Sequence, residues 1–237
     1  MSSKRIFDVV VTLVSSIAWL PANVFAALAI LVLEGWPVFY VSRRRIGARY
    51  ASVMKFRTMR RNADRVINRD TVPVSNNVRF LNTPPDSPLY TPIGRMIERL
   101  SLTETPQVLL VLAGRMSLVG NRPLPANVIA VLSERYTNVE ARFATPAGMT
   151  GPVQLVGRSE ISDYERLNLE ANYCRLARDA YRWRLDFVIL LYTVLVALHL
   201  KQPLRPSQVN RLMTRLAASR RDVREPAAIV LDRERSD

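Results

Sequence analysis

The sequence predicts an α-rich α+β domain that associates with a membrane through its N-terminal segment. Three observations predict this class: an uncharged apolar run over residues 9–33, a basic stretch soon after it, and a middle region in which short helical patterns alternate with turns that contain Pro, Asn and Gly. The chain has 237 residues, 49% of them hydrophobic, which is enough for a sizeable core and excludes a disordered polyelectrolyte.

Composition excludes several kinds of functional site but does not identify the partner. The 34 Lys and Arg residues outnumber the 20 Asp and Glu residues, and the net charge of +14 indicates an anionic partner: nucleic acid, anionic lipid or a phosphorylated substrate. The single cysteine, Cys174, excludes a disulfide framework and a Cys-based zinc site. The single histidine, His199, excludes a mechanism that needs two histidines.

The apolar run is long enough to cross a membrane and too long for a cleaved signal peptide. Pro21 near its middle predicts a kink. Basic residues flank both ends, with Lys4 and Arg5 before the run and four arginines within residues 43–49 after it. Because basic flanks favour the cytoplasmic face, they favour a re-entrant hairpin, and a single kinked span stays the alternative.

The next segments combine charge with short helical patterns. The stretch from Arg43 to Arg65 holds nine basic residues and one acid, which would bind anionic headgroups at about 1 kcal/mol per charge or gather a diphosphate. Polar residues 62–91 predict a surface loop or lid. A short helix is predicted at 93–100 and a second from Pro106, and spacing alone makes Glu104 part of an S-x-x-E capping box for that second helix.

Two further helices are predicted near the C terminus. Residues 185–200 are mostly apolar but short for a membrane span, so they suit a helix that is buried or lies in the interface. An amphipathic helix is predicted from Ser207, after Pro206, with Leu212, Leu216 and Ala217 on one side. These two helices also offer a surface for a homodimer.

Seven motifs occur in the order found in one enzyme family. They are K-R-I-F-D at 4–8, G-W-P-V-F at 35–39, R-I-G at 45–47, K-F-R-T-M at 55–59, S-L-T-E-T-P-Q at 101–107, M-S-L-V-G-N-R-P-L at 116–124 and G-M-T-G at 148–151, with a partial match from Gln154 to Arg158. In this order they resemble the bacterial sugar transferases, the monotopic phosphoglycosyl transferases, over roughly residues 4–200.

The resemblance implies an α-rich α+β fold with an N-terminal re-entrant membrane helix hairpin, amphipathic interfacial helices and a loop-rich cytoplasmic catalytic core. The hairpin would occupy residues 1–42 and break at Pro21, the sugar transferase core residues 43–200, and a basic amphipathic extension residues 201–237. Such enzymes work at the cytoplasmic face of the bacterial inner membrane. They transfer a phosphosugar from a UDP-sugar to polyprenyl phosphate with the help of Mg²⁺ and release UMP, the first membrane step of glycan or exopolysaccharide biosynthesis.

The resemblance also implies a set of substrate-binding residues. Lys55 and Arg57, in the K-F-R-T-M match, would lie at the phosphate site beside the membrane. Arg122 and Arg158 would bind the nucleotide or its diphosphate, and Glu170 would help to hold the nucleotide. Positive charge at such a site offsets the repulsion between two anionic substrates.

The catalytic dyad departs from the family pattern. Thr103 stands where the family has a nucleophilic Asp, and a threonine hydroxyl is a poor nucleophile without an activating base. Glu104 retains the second acid and would assist Mg²⁺ binding or proton handling. Glu98 stands where the family commonly has Arg, which reverses a charge near the expected diphosphate.

Three explanations of this departure stay open: Glu104 as the nucleophile or direct transfer to the acceptor, a rearranged site, or a catalytically silent relative that binds nucleotide sugar or lipid phosphate or scaffolds a partner. An active transferase is the leading hypothesis. A membrane-tethered nucleic-acid binder would rest on charge alone, because no basic motif with interleaved aromatic residues supports it, so we expect no nucleic-acid partner.

Overall fold

The computed structural model describes residues 2–63, 87–156, 161–179 and 181–217. Within these ranges the fold is helix-rich α+β, which confirms the α-rich α+β part of the predicted class; association with a membrane stays a prediction. The helices are α1 (Ser3–Val14), α2 (Ser16–Glu34), α3 (Pro92–Arg99), α4 (Val108–Leu112), α5 (Ala126–Arg135), α6 (Asp163–Asp179), α7 (Trp183–Ala197) and α8 (Pro206–Ala217). The strands are β1 (Phe39–Ile46), β2 (Arg49–Phe56), β3 (Ser117–Val119) and β4 (Gly148–Thr150), and 3₁₀ turns occupy Thr105–Gln107, Val139–Phe143 and Pro152–Val156.

The apolar N-terminal segment forms two helices that meet at Ser15. There the Ser15 hydroxyl donates to the Val11 carbonyl (2.7 Å), and the Ser16 hydroxyl donates to the Leu13 carbonyl (2.6 Å). The prediction of a break at Pro21 was wrong, because Pro21 lies inside α2. The break falls where hydroxyl groups satisfy the carbonyls that the end of α1 frees.

Both helices are held on the same globular body. Phe7, Asp8 and Thr12 of α1 are buried, whereas only Ala26 and Ile30 of α2 are buried. The large apolar side chains around the junction face outward, and Ile17 is 87% exposed. Within the described ranges α2 is the one helix that is long and apolar enough to cross a membrane.

The strands form two small two-stranded sheets. The hairpin of β1 and β2 is antiparallel and runs from the pair Phe39 and Phe56 to the pair Ile46 and Arg49. Strands β3 and β4 are parallel, and a Cβ atom on Gly148 would lie 2.1 Å from the backbone nitrogen of Gly120. The motifs around these two glycines therefore pack backbone against backbone, which only glycine permits.

Two predicted C-terminal helices are present. In α7 one face is buried through Leu185 and Ile189, while Phe187 and Val194 lie on the exposed face. Helix α8 begins one residue earlier than predicted and is part of the main core, since Val209 and other side chains on its inner face are fully buried. Residues 64–86, most of the predicted loop or lid, and residues 218–237 of the predicted extension lie outside the described residues.

A small apolar cluster positions the site described next. Ala26 and Ile30 of α2 pack against Val38, against Phe56 at the end of β2 and against Ile97 of α3. The β1–β2 hairpin, the apolar helix α2 and α3 therefore meet at one place in the fold.

Candidate active site

The end of β2 lies against the turn that follows α3. The backbone amide of Phe56 donates to the Thr103 carbonyl (2.9 Å), which places Lys55 beside residues 103 and 104. The turn between α3 and Thr103 is tight: the Leu102 amide donates to the Ile97 carbonyl (3.0 Å), and Ser101 adopts a positive φ of 57°.

This turn brings two side chains together that are five residues apart. The Thr103 hydroxyl donates to Oε2 of Glu98 at 2.5 Å, and Thr103 is itself buried. From the sequence, the Glu98 carboxylate was expected to reverse a charge near the diphosphate. In the structure it instead accepts a hydrogen bond from Thr103, the residue at the expected nucleophile position.

Glu104 forms a bidentate ion pair with Arg122. Arg122 Nη1 donates to Oε2 of Glu104 (3.1 Å), and Nη2 donates to Oε1. The two side chains stay accessible, with 49% of the Arg122 side chain and 33% of the Glu104 side chain exposed. The predicted capping box was wrong: the Glu104 side chain makes no cap hydrogen bond because it turns to Arg122.

Lys55 completes the group. Its ammonium lies 5.2 Å from the centre of the Tyr40 ring, a cation–π contact. Burial lowers the pKa of Lys55 below its usual value, against the opposing attraction of Glu104 and with further lowering by Arg122. We call Lys55, Glu98, Thr103, Glu104 and Arg122 the open cluster. Four of its members were expected at the site from the sequence: Lys55, Thr103, Glu104 and Arg122. The fifth, Glu98, is added by the structure.

Arg57 is turned away from this cluster. Its guanidinium donates to the backbone carbonyls of Gly35 (2.8 Å) and Glu34 (3.3 Å), and it lies 3.6 Å from the Glu34 carboxylate. Arg57 therefore fixes the end of α2 to β2. Its binding of a substrate phosphate stays a prediction.

Glu170 is buried in an ion pair with Arg142. Arg142 Nε and Nη2 donate to the two Glu170 oxygens at 2.5 and 2.8 Å, and Arg142 Nη2 also donates to the backbone carbonyl of Arg122 (3.0 Å). The pair therefore supports the backbone from which Arg122 projects. Sequence reasoning missed Arg142, which lies in none of the recognised motifs, and a nucleotide contact by Glu170 stays a prediction. Arg158 lies outside the described residues.

The first motif of the chain holds α1 in place. Lys4 Nζ donates to Oδ2 of Asp186 (2.6 Å), which also accepts from Tyr181 (3.1 Å), and Tyr173 donates to Oδ1 (2.8 Å). We call Lys4, Tyr173, Tyr181 and Asp186 the anchor network. No part of the Asp186 side chain is exposed.

Two neighbours in the same motif reinforce the anchor network. The Arg5 guanidinium donates to the Val111 and Leu112 carbonyls. Asp8 Oδ1 accepts from the Ser117 hydroxyl (2.9 Å) and the Leu118 amide (3.0 Å). Lys4 and Arg5, taken from the sequence as flanking charges of a membrane segment, bind protein groups.

The carboxylates of the open cluster suit a magnesium ion that is shared with a substrate. Mg²⁺ prefers oxygen ligands and is commonly held by one or two carboxylates together with phosphate groups and water. Across the described ranges no group of three or more His, Cys, Asp or Glu side chains converges on a point. Glu104 is the carboxylate expected to help hold such an ion together with substrate phosphates, and Mg²⁺ binding at the open cluster stays a prediction.

Comparison with known proteins places the chain in a family. The sequence profile of the bacterial sugar transferase family matches residues 1–200. The exopolysaccharide production protein ExoY of Sinorhizobium fredii is 31% identical over 200 residues, which cover 81% of this chain and 84% of that protein. The undecaprenyl-phosphate glucose phosphotransferase of Komagataeibacter xylinus is 32% identical, over 82% of this chain and 35% of the longer relative.

A third relative, the undecaprenyl-phosphate galactose phosphotransferase of Salmonella typhimurium, is 30% identical over 82% of this chain and 40% of its own length. The motif order predicted the same family, and that prediction is confirmed. This chain belongs to the bacterial sugar transferase family.

Proposed function

We propose that this protein transfers a phosphosugar from a UDP-sugar to polyprenyl phosphate and releases UMP, as the first membrane step of glycan or exopolysaccharide assembly. The observation that carries the proposal is the position of the open cluster beside the apolar segment. Thr105, next to Glu104, donates its hydroxyl to Oδ1 of Asn23 in α2. A site at this point can receive a soluble nucleotide from one side and a lipid phosphate from the other.

Relatives with named reactions support the chemistry. Two of them are an undecaprenyl-phosphate glucose phosphotransferase and an undecaprenyl-phosphate galactose phosphotransferase. Their names combine a lipid phosphate with the transfer of a sugar phosphate. The same pair of substrates would bring several negative charges to the open cluster, where Lys55 and Arg122 would offset them.

We propose that the N-terminal segment is re-entrant and that the catalytic face lies at the cytoplasmic side of the inner membrane. Asp8 and Asn23, on either side of the Ser15 junction, are both bonded to the globular body. Each arm from these anchors to the junction is about seven residues, so at 1.5 Å per residue it reaches about 10 Å. A hydrocarbon core of about 30 Å is too thick for such an arm to cross, and this supports a hairpin.

In the proposed reaction each charged residue has a separate task. Arg122 binds the diphosphate with part of its guanidinium while Glu104 orients it from the other side. Lys55 supplies a point charge at the transferring phosphoryl group. A bound Mg²⁺ held by Glu104 would stabilise charge on the diphosphate as UMP leaves.

Product formation by the purified protein tests the proposal. Full-length protein in nanodiscs of anionic lipid is incubated with a panel of UDP-sugars, undecaprenyl phosphate and Mg²⁺. We expect UMP release that depends on both substrates, and a lipid-linked phosphosugar in the organic phase. Absence of both products across the panel, with an active family member as the positive control, would refute catalysis.

The replacement at position 103 favours one second candidate, a catalytically silent member that binds the same ligands. It predicts that UDP-sugar binds with an affinity that Arg122→Ala weakens, while no UMP forms. Binding of UDP-sugar by the purified protein, together with the absence of product in the assay above, would support this candidate and exclude turnover.

A further inference from the structure

We propose that Glu98 supplies the nucleophilic carboxylate of this site and that Thr103 positions it. The proposal rests on the transfer reaction proposed above and names the residue that forms the covalent bond in it. It starts from the hydrogen bond between the Thr103 hydroxyl and Glu98 Oε2, whose donor and acceptor oxygens are 2.5 Å apart.

The geometry places a carboxylate oxygen where residue 103 itself supplies none. The Thr103 hydroxyl oxygen is one bond beyond Cβ, where the carboxyl carbon of an aspartate would stand. Glu98 Oε2 lies 2.5 Å from that atom, so the longer side chain of Glu98 reaches the region from the last turn of α3. The tight turn at Ser101 makes this approach possible, since it folds Thr103 back over Glu98.

The second carboxylate of the open cluster is less suited to attack phosphorus. Both oxygens of Glu104 accept charge-assisted hydrogen bonds from the Arg122 guanidinium. Either oxygen would have to give up such a bond to attack phosphorus. Among the described residues, Thr103 alone donates a hydrogen bond to the Glu98 carboxylate. Glu98 Oε1 is therefore the carboxylate oxygen of the cluster without a hydrogen-bond donor in the part of the chain that the structure describes.

Thr103 is the less suitable nucleophile of the hydrogen-bonded pair. A threonine hydroxyl is weak unless a base removes its proton, whereas a carboxylate is already ionised at neutral pH. In the structure the hydroxyl proton points to Glu98, which orients one oxygen of the carboxylate and leaves the other for substrate. Lys55 is close enough to Glu98 for their charges to interact, so its ammonium can attract the same phosphoryl group that Glu98 would attack.

The reaction balances in two displacements. An oxygen of Glu98 attacks the phosphorus that carries the sugar, a bond forms between that oxygen and phosphorus, and the bond from phosphorus to the bridging oxygen breaks, so UMP leaves with the electron pair. An oxygen of polyprenyl phosphate then attacks the same phosphorus and displaces the Glu98 carboxylate. The product is a polyprenyl diphosphate sugar, and Glu98 returns to its starting form.

Trapping the acyl phosphate tests this assignment, and the chain offers a convenient peptide map. Trypsin cleaves after Arg95, Arg99 and Arg115, so Glu98 lies in the peptide 96–99 and both Thr103 and Glu104 lie in the peptide 100–115. Protein incubated with UDP-sugar without acceptor is reduced with tritiated borohydride, which converts an acyl phosphate to a stable alcohol. We expect tritium in peptide 96–99. Tritium in peptide 100–115, or a phosphosugar on Thr103 that resists hydroxylamine, would overturn the proposal.

Activity of matched variants provides the second measurement. We expect Glu98→Gln to lower kcat by more than about 1000-fold, as removal of a nucleophile does, while the thermal midpoint stays near that of the natural chain because Gln still accepts from Thr103. Glu134→Gln, an exposed glutamate of α5, should leave kcat unchanged. Wild-type turnover that Glu98→Gln retains would overturn the assignment of Glu98 and leave the proposed function standing.

The role of Thr103 as a positioning residue has its own signature. Thr103→Val keeps the shape and removes the hydroxyl, so we expect kcat to fall by about 100-fold at an unchanged KM, with tritium still in peptide 96–99. A hydroxylamine-resistant phosphosugar that forms on the natural chain and is absent from Thr103→Val would show that Thr103 itself bears the intermediate and would overturn the proposal. Absence of UMP from the natural chain with every donor would instead refute the proposed function together with this inference.

Discussion

The anchor network and the open cluster are both built from charged residues of recognisable motifs, yet they differ in what their charges contact. In the anchor network the Lys4 side chain is 13% exposed, the Asp186 side chain is fully buried, and every partner is a protein group. In the open cluster the Arg122 side chain is 49% exposed. A closed network holds the fold together, and a cluster that keeps exposed charge can bind a ligand.

The same comparison divides the other predicted site residues. Glu170 and Arg57 resemble the anchor network, since both are buried and bonded to protein groups. Lys55 and Glu104 belong to the open cluster, and both are only partly buried. Membership of a motif therefore does not separate the buried, protein-bonded charges from the exposed ones, and we expect the exposed ones to bind ligand.

The largest expected effect is on folding, at the anchor network. Lys4→Met leaves the buried Asp186 carboxylate without its cation, so we expect the free energy of unfolding to fall by about 3–5 kcal/mol. Denaturant or thermal unfolding in nanodiscs measures it. A second change, Asp186→Asn, should recover part of the loss because it removes the buried charge. A loss below about 1 kcal/mol in Lys4→Met would contradict a closed network.

The buried pair beneath Arg122 should behave in the same way. Glu170→Gln leaves the buried Arg142 guanidinium uncompensated, and we expect a loss of about 3 kcal/mol in unfolding free energy, at the low end of the range because Gln still accepts hydrogen bonds. The KM for the UDP-sugar is measured at a temperature where the variant stays folded. A large rise in KM with full stability would place Glu170 with the open cluster.

For Arg122 we expect the opposite pattern, a small change in stability and a large loss of activity. Its ion pair with Glu104 is exposed, so Arg122→Ala should change the unfolding free energy by less than about 1 kcal/mol. Activity should fall by about 100-fold, as loss of one transition-state donor does. Arg178→Ala, which breaks an exposed ion pair with Asp179, is the matched control and should leave activity unchanged. Equal activity of the two variants would remove Arg122 from the site.

The smallest effect is a shift in the pH dependence of kcat/KM. Burial lowers the pKa of Lys55, so its charge is present at low pH and is lost as pH rises through that lowered value. We therefore expect an alkaline limb below the ordinary lysine pKa of about 10.4, and Lys55→Arg should move it upward because guanidinium stays charged.

A second lysine in the same kind of contact provides the control for this shift. Lys201 lies over the Tyr192 ring at 5.2 Å, the distance found for Lys55 over Tyr40, but Lys201 is exposed. Lys201→Arg should leave the alkaline limb in place. If both variants moved it equally, the limb would report a general change in net charge.

Local patterns predicted much of the fold. The apolar periodicity of α3, the apolar length of α7 and the Pro206–Ser207 start of α8 are each visible within a few residues, and the structure has a helix at each place. The β1–β2 hairpin was not predicted as such, because its basic residues were interpreted by charge and its alternation was missed. The break at Ser15 was missed because side-chain hydroxyl bonds to carbonyls outweighed the expected effect of Pro21.

The candidate site was predictable where a motif carried the residue, and its contacts were hidden where they span the chain. Motifs predicted Lys55, Glu104 and Arg122 as site residues, and the structure brings these three side chains together. Asp186 was missed, since its partner Lys4 is 182 residues away. The bond between Thr103 and Glu98 could not be read from helical spacing, because five residues apart they would not face each other on a helix and meet only through the left-handed turn at Ser101.

A rapid-quench measurement of UMP in the absence of any acceptor tests whether the open cluster forms a covalent phosphosugar intermediate. The natural chain is mixed with the UDP-sugar that supports turnover when acceptor is present. The UMP released in the initial phase is expressed per protein chain. We predict a burst that approaches one UMP per chain and is absent in Glu98→Gln. Steady turnover with polyprenyl phosphate but no burst without it would show direct transfer and contradict a covalent intermediate on Glu98.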